Sequence, residues 1–328
     1  MRLRGPTVAI VCALVALVAD SSAAFAGNGG FAPVSPESPN AEAINQSYWF
    51  ISAFALGIFL LVQGLLILFV VKYRRRRRPR DADGAQIHGS NRLELAWTVA
   101  PVLILCAIGT FVFVKLPVVQ DVPASTGGEE NLVVEVVGTQ FAWEYRYPNG
   151  VVAMDRMRAP QGRTVELLVT APDWDVIHSW WIPELGGKFD AIPGTVNRTW
   201  FKAKRTGVFL GQCAELCGIY HAKMLASVEV LAPSEFDAWL SERAEQQEAG
   251  GASPLGEELW DATCAKCHGI EGEGGYGPRV AGSDLLDDRE AIERLLREGR
   301  GLMPPVGRDW DDAQMEAITA YLEENVGG

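Results

Sequence analysis

Positive charge and histidine are both scarce in this chain of 328 residues. Lys and Arg number 29 against 41 Asp and Glu, and the net charge of −12 argues against a nucleic-acid-binding protein. Hydrophobic residues make up 48% and charged residues 21%, which excludes intrinsic disorder, collagen and a single coiled coil. The length predicts about two folded domains. With only four histidines and six cysteines, the placement of each one is informative.

The net charge is positive only in the first third of the chain. Residues 1–116 carry 11 basic and 6 acidic side chains, a net charge of +5. Residues 117–249 carry 11 and 18, a net −7, and residues 250–328 carry 7 and 17, a net −10. The chain therefore has three chemically different parts.

The beginning of the chain has the features of a secretory signal peptide. Arg2 and Arg4 precede a short apolar stretch, and Ala24-Phe25-Ala26 resembles a cleavage site. A retained anchor is the alternative, but this apolar stretch is too short to span a bilayer. The next residues, 27–47, contain turn formers without periodicity, which predicts a linker.

Two long stretches contain no charged residue. The 23 residues of 49–71 and the 20 residues of 95–114 can each cross about 30 Å of hydrocarbon as helices rising about 1.5 Å per residue. Arg74 to Arg78 follow the first stretch, and basic clusters beside a span stay in the cytoplasm, which explains this run better than nucleic-acid contact does. We therefore predict a two-pass protein of the bacterial cell membrane, with its N-terminus and C-terminal domains on the outer face.

Short apolar segments separated by turn residues follow the second span. Seven of them lie between residues 132 and 231, a pattern typical of a β-sandwich or barrel. A polar helix is expected over 234–248, followed by a glycine-rich joint. Beyond the joint the periodicity becomes helical, which predicts a small all-α domain.

The first motif that indicates a bound cofactor is Cys264-Ala265-Lys266-Cys267-His268. In C-x-x-C-H, two thiols form thioethers with haem and the histidine ligates iron. A disulfide or half of a zinc site is the alternative, but the segment after the joint has no other cysteine and a redox C-x-x-C needs no trailing histidine. We predict covalently bound haem c.

The second axial ligand of the haem iron is expected on a loop. Met303 lies in a Gly-Leu-Met-Pro-Pro segment, whereas Met315 falls inside the last predicted helix, where methionine normally fills the core. Methionine opposite histidine favours electron transfer over oxygen chemistry. With Pro278, Trp260 and Tyr321, these residues resemble class I cytochrome c. The resemblance implies that the Pro278 carbonyl orients the iron-ligating histidine and that the two aromatic residues pack together.

The second motif gathers soft metal ligands. Cys213, Cys217, His221 and Met224 lie within twelve residues, and His178 lies thirty-five residues upstream of the first cysteine. Copper suits this set, and two thiolates can bridge two copper ions so that one electron is shared. A zinc site is one alternative, but zinc has no use for the methionine. A disulfide is another, and it would leave both histidines without a role.

From about residue 48 to 232 the chain resembles subunit II of cytochrome c oxidase. The resemblance implies a cupredoxin domain with a binuclear copper centre, CuA, on an all-β fold. It also implies that the Glu215 side chain faces the partner subunit and helps to hold Mg²⁺. The appended haem domain resembles the caa-type oxidases, in which cytochrome c is fused to subunit II. The CuA ligands implied are His178, Cys213, Cys217, His221, Met224 and the backbone carbonyl of Glu215.

Two further positions match the same family and one departs from it. Glu94 matches the glutamate at the cytoplasmic entrance of a proton path, with a helix N-terminal charge favoured by the dipole as the alternative. Trp143 lies in a stretch that resembles the aromatic segment near CuA, with a core tryptophan as the alternative. Phe141 stands where the family usually has the tryptophan that receives electrons. This departure argues that the donor docks on the haem domain.

These features together predict the subunit through which electrons enter a proton-pumping terminal oxidase. Electrons would pass from a soluble cytochrome c or a quinol-cytochrome c reductase complex through haem c to CuA and on to subunit I. Subunit III is a further expected partner. Once three histidines are assigned to metals only His88 remains, so oxygen must be reduced on another subunit. The glycines of the joint, Gly250 and Gly251, are expected to let the haem domain swing.

Two other functions stay open from the sequence alone. A free membrane-anchored electron carrier would not need Glu94. The electron-receiving subunit of a CuA-type nitric oxide reductase is the second, whereas nitrous oxide reduction would need a histidine-rich copper cluster.

The predicted segments are a signal peptide (1–26), a linker (27–47), transmembrane helix 1 (48–72), a cytoplasmic loop (73–93), transmembrane helix 2 (94–116), the cupredoxin domain (117–249) and the cytochrome c domain (250–328).

Overall fold

The computed structural model describes residues 32–73, 86, 88–125, 130–250 and 254–326. The predicted signal peptide and the arginine run lie outside these residues. The chain forms two compact units. One contains Ala43–Val119, and the other contains the residues up to Glu42 together with those from Gln120 onward.

The first unit consists mainly of two long apolar helices, α1 (Pro39–Tyr73) and α2 (Asn91–Gln120). Each contains an 18-residue apolar stretch, of mean hydropathy 2.8 and 2.5 respectively, and no residue of either stretch is buried within this chain. The helices contact each other where Phe50 and Phe111 stack with ring centroids 4.1 Å apart. Apolar side chains on all sides of a helix are expected where lipid is the solvent.

The start of α1 corrects the predicted linker. Residues 27–47 were expected to be irregular, but the helix begins at Pro39. Proline at the first helical position is pre-organised for a helix, and the amide of Glu42 donates to the Ser38 carbonyl at 2.9 Å. The Asn40 side chain donates to the Trp200 carbonyl at 2.5 Å, so a distant strand holds this end of the helix. That tertiary contact has no signature in the local sequence.

The β domain is a two-layer structure with five strands in each sheet of the described region. The strands are β1 (Leu132–Thr139), β2 (Ala142–Arg146), β3 (Val152–Met154), β4 (Arg156–Pro160), β5 (Val165–Thr170), β6 (His178–Trp181), β7 (Phe189–Ala191), β8 (Asn197–Phe201), β9 (Gly207–Cys213) and β10 (Leu225–Leu231). One sheet has the order β3-β2-β1-β5-β8 and the other β4-β10-β9-β6-β7, with β1/β5 and β10/β4 parallel. Val134, Leu167, Phe209 and Val228 are fully buried in the core of this domain.

A helix and then a small helical domain follow the last strand. Helix α3 (Pro233–Ala249) buries Phe236 against the β domain. The helical domain contains α4 (Pro254–Leu259), a π-helical turn (Trp260–Cys264), α5 (Ala265–His268), a 3₁₀ turn (Asp284–Asp287), α6 (Arg289–Glu298), α7 (Asp312–Tyr321) and a final π-helical turn (Leu322–Val326).

Close packing of α4 against α7 organises the helical domain. A Cβ on Gly256 would overlap the Ala317 carbonyl, so glycine is required where the two helices approach. Trp260 and Tyr321 pack with ring centroids 6.3 Å apart, as the resemblance to class I cytochrome c implied. Leu259 and Ile318 are fully buried beside them.

Candidate metal centre and haem site

The soft ligands lie close together where β9 ends and β6 begins, and in the long loop between β9 and β10. Cys213 ends β9, and Trp180 of β6 is its partner across the antiparallel pair. His178 begins β6, so this pairing brings it to the same edge. The loop between β9 and β10 then returns, and the amide of Cys213 donates to the Met224 carbonyl at 2.9 Å. Strand pairing therefore joins ligands that are far apart in sequence.

Gly218 allows the ligand loop to turn. Its φ of 136° lies in a region that side chains rarely adopt, and a Cβ there would lie 2.9 Å from Gln140 Nε2 and 3.0 Å from the Phe141 ring. Gln140 Nε2 also donates to the Cys217 carbonyl at 2.6 Å. The loop that carries four of the six predicted ligands is thus fixed against the turn between β1 and β2.

The sulfur atoms lie close together without forming a disulfide. Cys213 Sγ and Cys217 Sγ are 3.9 Å apart, and both cysteines are free thiols. Cys217 Sγ also lies 3.6 Å from His221 Nδ1 and 3.7 Å from Met224 Sδ. Cys213 Sγ lies 3.1 Å from the Glu215 carbonyl oxygen. All the predicted donors other than His178 are therefore within contact of one of these two sulfurs.

His178 completes the cluster. One of its ring nitrogens and the two cysteine sulfurs all lie within 4.8 Å of one another, and all three residues are buried. Neither ring nitrogen has a hydrogen-bond partner in the described part of the chain, although His178 Nε2 lies 3.5 Å from Asp175 Oδ1. A buried imidazole that makes no hydrogen bond is costly, so this ring is suited to bind a metal ion.

The electrostatics of the cluster favour a thiolate. The pKa of Cys213 is lowered, chiefly because the hydrogen bond with Cys217 stabilises its anion against the opposing effect of burial. The same shared proton raises the pKa of Cys217. Burial alone would lower the pKa of His178, but the Asp175 carboxylate and the Cys213 sulfur raise it above its usual value. One buried anionic sulfur beside further soft donors is a suitable environment for copper.

Glu215 and Trp143 differ in their exposure to solvent. The Glu215 side chain is about half exposed, and its carboxylate lies 3.9 Å from Lys188 Nζ. Trp143 is fully buried, with its ring centroid 6.0 Å from that of His178 and the rings close to perpendicular. Phe141 packs against Tyr220, and Tyr220 in turn packs against Tyr276 of the helical domain.

The C-x-x-C-H segment forms the second site. Cys264 is buried and Cys267 is partly exposed, and both are free thiols. Burial raises the pKa of Cys264 to about 11. His268 Nδ1 donates to the Pro278 carbonyl at 2.7 Å, which leaves its other nitrogen as the ligand atom. A Cβ on Gly277 would lie 2.7 Å from the His268 ring, so the residue beside this imidazole must be glycine.

The two candidate methionines and Glu94 occupy different environments. Met303 is partly buried in a turn, where it pairs with Arg300. Met315 is buried within the helical core, as expected for a packing residue. Glu94 lies in the first turn of α2, in the other compact unit. Asp155 and Lys266 were not singled out from the sequence, because they are 111 residues apart along the chain, and Asp175 was not singled out although it lies only three residues before His178.

Comparison with known protein families identifies the domains of the chain. The family model for the transmembrane domain of cytochrome c oxidase subunit II matches residues 29–114, and that for its periplasmic domain matches 151–231. The model for subunit III of cbb3-type cytochrome c oxidase matches residues 252–322. Cytochrome c oxidase subunit 2 of Alkalihalophilus pseudofirmus is 32% identical over 320 residues, which cover 90% of this chain and 91% of that protein. The chain belongs to the cytochrome c oxidase subunit II family.

Other members of the family match over shorter lengths. A probable cytochrome c oxidase subunit 2 of Rickettsia bellii is 34% identical over 272 residues, covering 75% of this chain and 97% of that protein. The crystal structure of the periplasmic domain of subunit II from Bradyrhizobium japonicum is 34% identical, with a TM-score of 0.35, and the match covers 38% of this chain and 97% of that one.

Membership of this family confirms the predicted order of a membrane hairpin, a cupredoxin domain and a cytochrome c domain. The protein is anchored in a membrane, with its C-terminal part outside, and functions with the other oxidase subunits and a cytochrome c donor. The family also implies copper in the cupredoxin domain and haem c after it. The buried thiolate, the unpaired His178 ring and the free thiols of C-x-x-C-H fit both groups.

Proposed function

We propose that this chain is the subunit through which electrons enter a proton-pumping terminal oxidase. It receives them from an external donor on its haem domain, passes them to a binuclear copper centre, and delivers them to subunit I, where oxygen is reduced to water. The observation that supports this most directly is the cluster of five soft side chains and one carbonyl around Cys213 and Cys217. Two adjacent sulfurs 3.9 Å apart are suited to bridge two copper ions.

The chain's own residues hold and shield both groups. Bound copper and haem would supply one-electron redox chemistry, which no side chain of the cluster provides at these positions. Burial of His178, Cys213, Cys217 and Met224 excludes water and limits rearrangement of the ligands. The proposed copper ligands are His178, Cys213, Cys217, His221, Met224 and the Glu215 carbonyl. The proposed haem residues are Cys264, Cys267, His268 and Met303.

Three further assignments belong to the same proposal. Glu94 at the start of α2 is the entrance of a proton path on the cytoplasmic side. The half-exposed Glu215 carboxylate helps to hold Mg²⁺ against subunit I. The subunit itself is non-catalytic, because no further histidine cluster is available to bind oxygen at a metal. Subunit III completes the complex in the bacterial cell membrane.

Metal analysis of the purified full chain tests the proposal. We expect two copper ions and one covalent haem per chain, with an EPR spectrum in which one unpaired electron is shared by two copper nuclei. Cys217→Ser should abolish the shared spectrum, since it removes the sulfur that contacts His221 and Met224. Met315→Leu is the matched control and should change neither site. Zinc, or one copper with a mononuclear spectrum, would refute the binuclear assignment.

A further inference from the structure

Lys266 joins the haem-attachment segment to the cupredoxin domain. It lies between the two cysteines of C-x-x-C-H, and its side chain is only 15% exposed. Its Nζ donates to the Phe141 carbonyl at 2.8 Å and to Asp155 Oδ2 at 2.5 Å. These acceptors belong to the β domain, so one cation bridges the two domains within a single compact unit.

Asp155 is held in place by the strand that carries Trp143. Its Oδ1 accepts from the Trp143 amide at 2.9 Å, and its own amide donates to the Trp143 carbonyl at 2.7 Å. The amide of Ser227 donates to the Asp155 carbonyl at 2.9 Å. Asp155 also has a φ of 53°, a left-handed conformation that is uncommon for residues other than glycine. A strained conformation held by this many bonds is frequent at functional sites.

Trp143 connects this contact to the metal cluster. Its ring is fully buried and lies edge-on against His178, with the centroids 6.0 Å apart. A Cβ on Gly138 would meet both the Trp143 and the His178 side chains, so glycine at this position allows both side chains to pack against its backbone. Lys266, Asp155, Trp143 and His178 therefore form a continuous series from the haem-attachment segment to a copper ligand.

Other contacts hold the two domains in the same arrangement. Gln314 Nε2 donates to Glu144 Oε2 at 3.1 Å, and Trp174 Nε1 donates to Asp309 Oδ2 at 2.7 Å. Arg243 Nη2 lies 2.7 Å from Glu258 Oε2. A joint that let the haem domain swing freely would leave these groups unpaired. The interface is thus specific, and these polar contacts lie beside an apolar core that residues of both domains share.

We propose that Lys266 is a positioning residue, whose ion pair with Asp155 docks the haem domain so that its attachment segment lies beside Trp143 and the copper site. This inference rests on the proposed function and goes beyond it. Electrons then pass between fixed neighbours, in place of the swinging motion expected from the glycine-rich joint. A charge-assisted hydrogen bond of this kind changes a docking equilibrium by roughly tenfold or more.

The test uses the full chain carrying its metals and haem, with Lys266→Met, Asp155→Asn and the double variant. Arg289→Gln is the matched control, because it removes an exposed ion pair with Glu293 on the same domain. The first measurement is the rate of electron transfer from haem to copper after the haem has been rapidly reduced. The second is hydrogen exchange in peptides covering residues 141–143 and 264–268. Midpoint potentials and visible spectra are recorded for each variant.

We expect Lys266→Met to slow this electron transfer at least about tenfold and to accelerate exchange in both peptides, with unchanged potentials. Asp155→Asn should also slow the electron transfer. The double variant should be little slower than either single variant, because each substitution removes the same Lys266–Asp155 contact. Arg289→Gln should resemble the parent protein. An unchanged transfer rate in Lys266→Met would overturn the inference, even if thermal stability fell, because the contact would then be merely structural.

The outcomes also separate this inference from the proposed function. A chain that binds haem and a single copper ion would refute the binuclear centre, but electron transfer to that copper would still measure the effect of Lys266. Equal slowing in Lys266→Met and Arg289→Gln would overturn the positioning role alone, since it would reflect charge and not docking.

Discussion

Replacing Gly218 by alanine tests how tightly the ligand loop is packed. The φ of 136° makes any side chain at this position strained, and the new Cβ would lie 2.9 Å from Gln140 Nε2 and 3.0 Å from the Phe141 ring. The strained backbone costs about 1–3 kcal/mol. Overpacking against neighbours that cannot move adds a further 1–3 kcal/mol or so. We therefore expect Gly218→Ala to lower the free energy of unfolding by about 2–6 kcal/mol.

Gly162→Ala is the control for this substitution. Gly162 lies in the same domain with a φ of 75°, and a Cβ there would meet nothing within 4 Å. Gly162→Ala introduces backbone strain without overpacking, so we expect its free energy of unfolding to fall by about 1 kcal/mol. Urea unfolding of the full chain, followed by tryptophan fluorescence, measures both values. Copper content should fall only in Gly218→Ala, because that residue lies between two proposed ligands.

The reasoning fails if the two alanine variants are equally stable. That result would mean that Gln140 and Phe141 move aside at little cost, and that the loop is not held by the turn between β1 and β2. A large loss of stability with full copper retention would show instead that the packing matters for the fold and not for the ligands.

Three other predictions concern the proposed sites. Met224→Leu should keep copper but shift its reduction potential in a redox titration, since a weak axial thioether tunes a site more than it holds the metal; loss of all copper would contradict this. Glu94→Ala should slow steady-state turnover while the reduction of haem and copper in stopped flow is unchanged, and equal slowing of both would refute the proton-path role. In the haem-free chain, alkylation of Cys264 by iodoacetamide should rise about tenfold per pH unit up to about pH 11, because burial holds its pKa near that value and only the thiolate reacts. A rate that levels off below pH 9 would contradict the burial of this thiol.

The membrane helices and the two motifs could be predicted because their signals are local. Uncharged runs of 23 and 20 residues are sufficient to predict spans, and C-x-x-C-H keeps its chemistry in any context. The seven apolar segments correspond to seven of the ten strands in the described region. The strands that were missed are β3 and β7, which are three residues long and too short to show alternation, and β4, in which two arginines leave only Met157 and Ala159 apolar.

The sequence by itself thus determined the order of the domains, the position of the spans and the residue types available to bind copper and haem. Only the tertiary structure decided which of these groups meet. Pairing of β6 with β9 brings His178 to Cys213, and domain docking brings Lys266 to Asp155, 111 residues away along the chain. Spacing along the chain encodes local chemistry, whereas contacts between strands and between domains depend on packing energies that are summed over the whole fold.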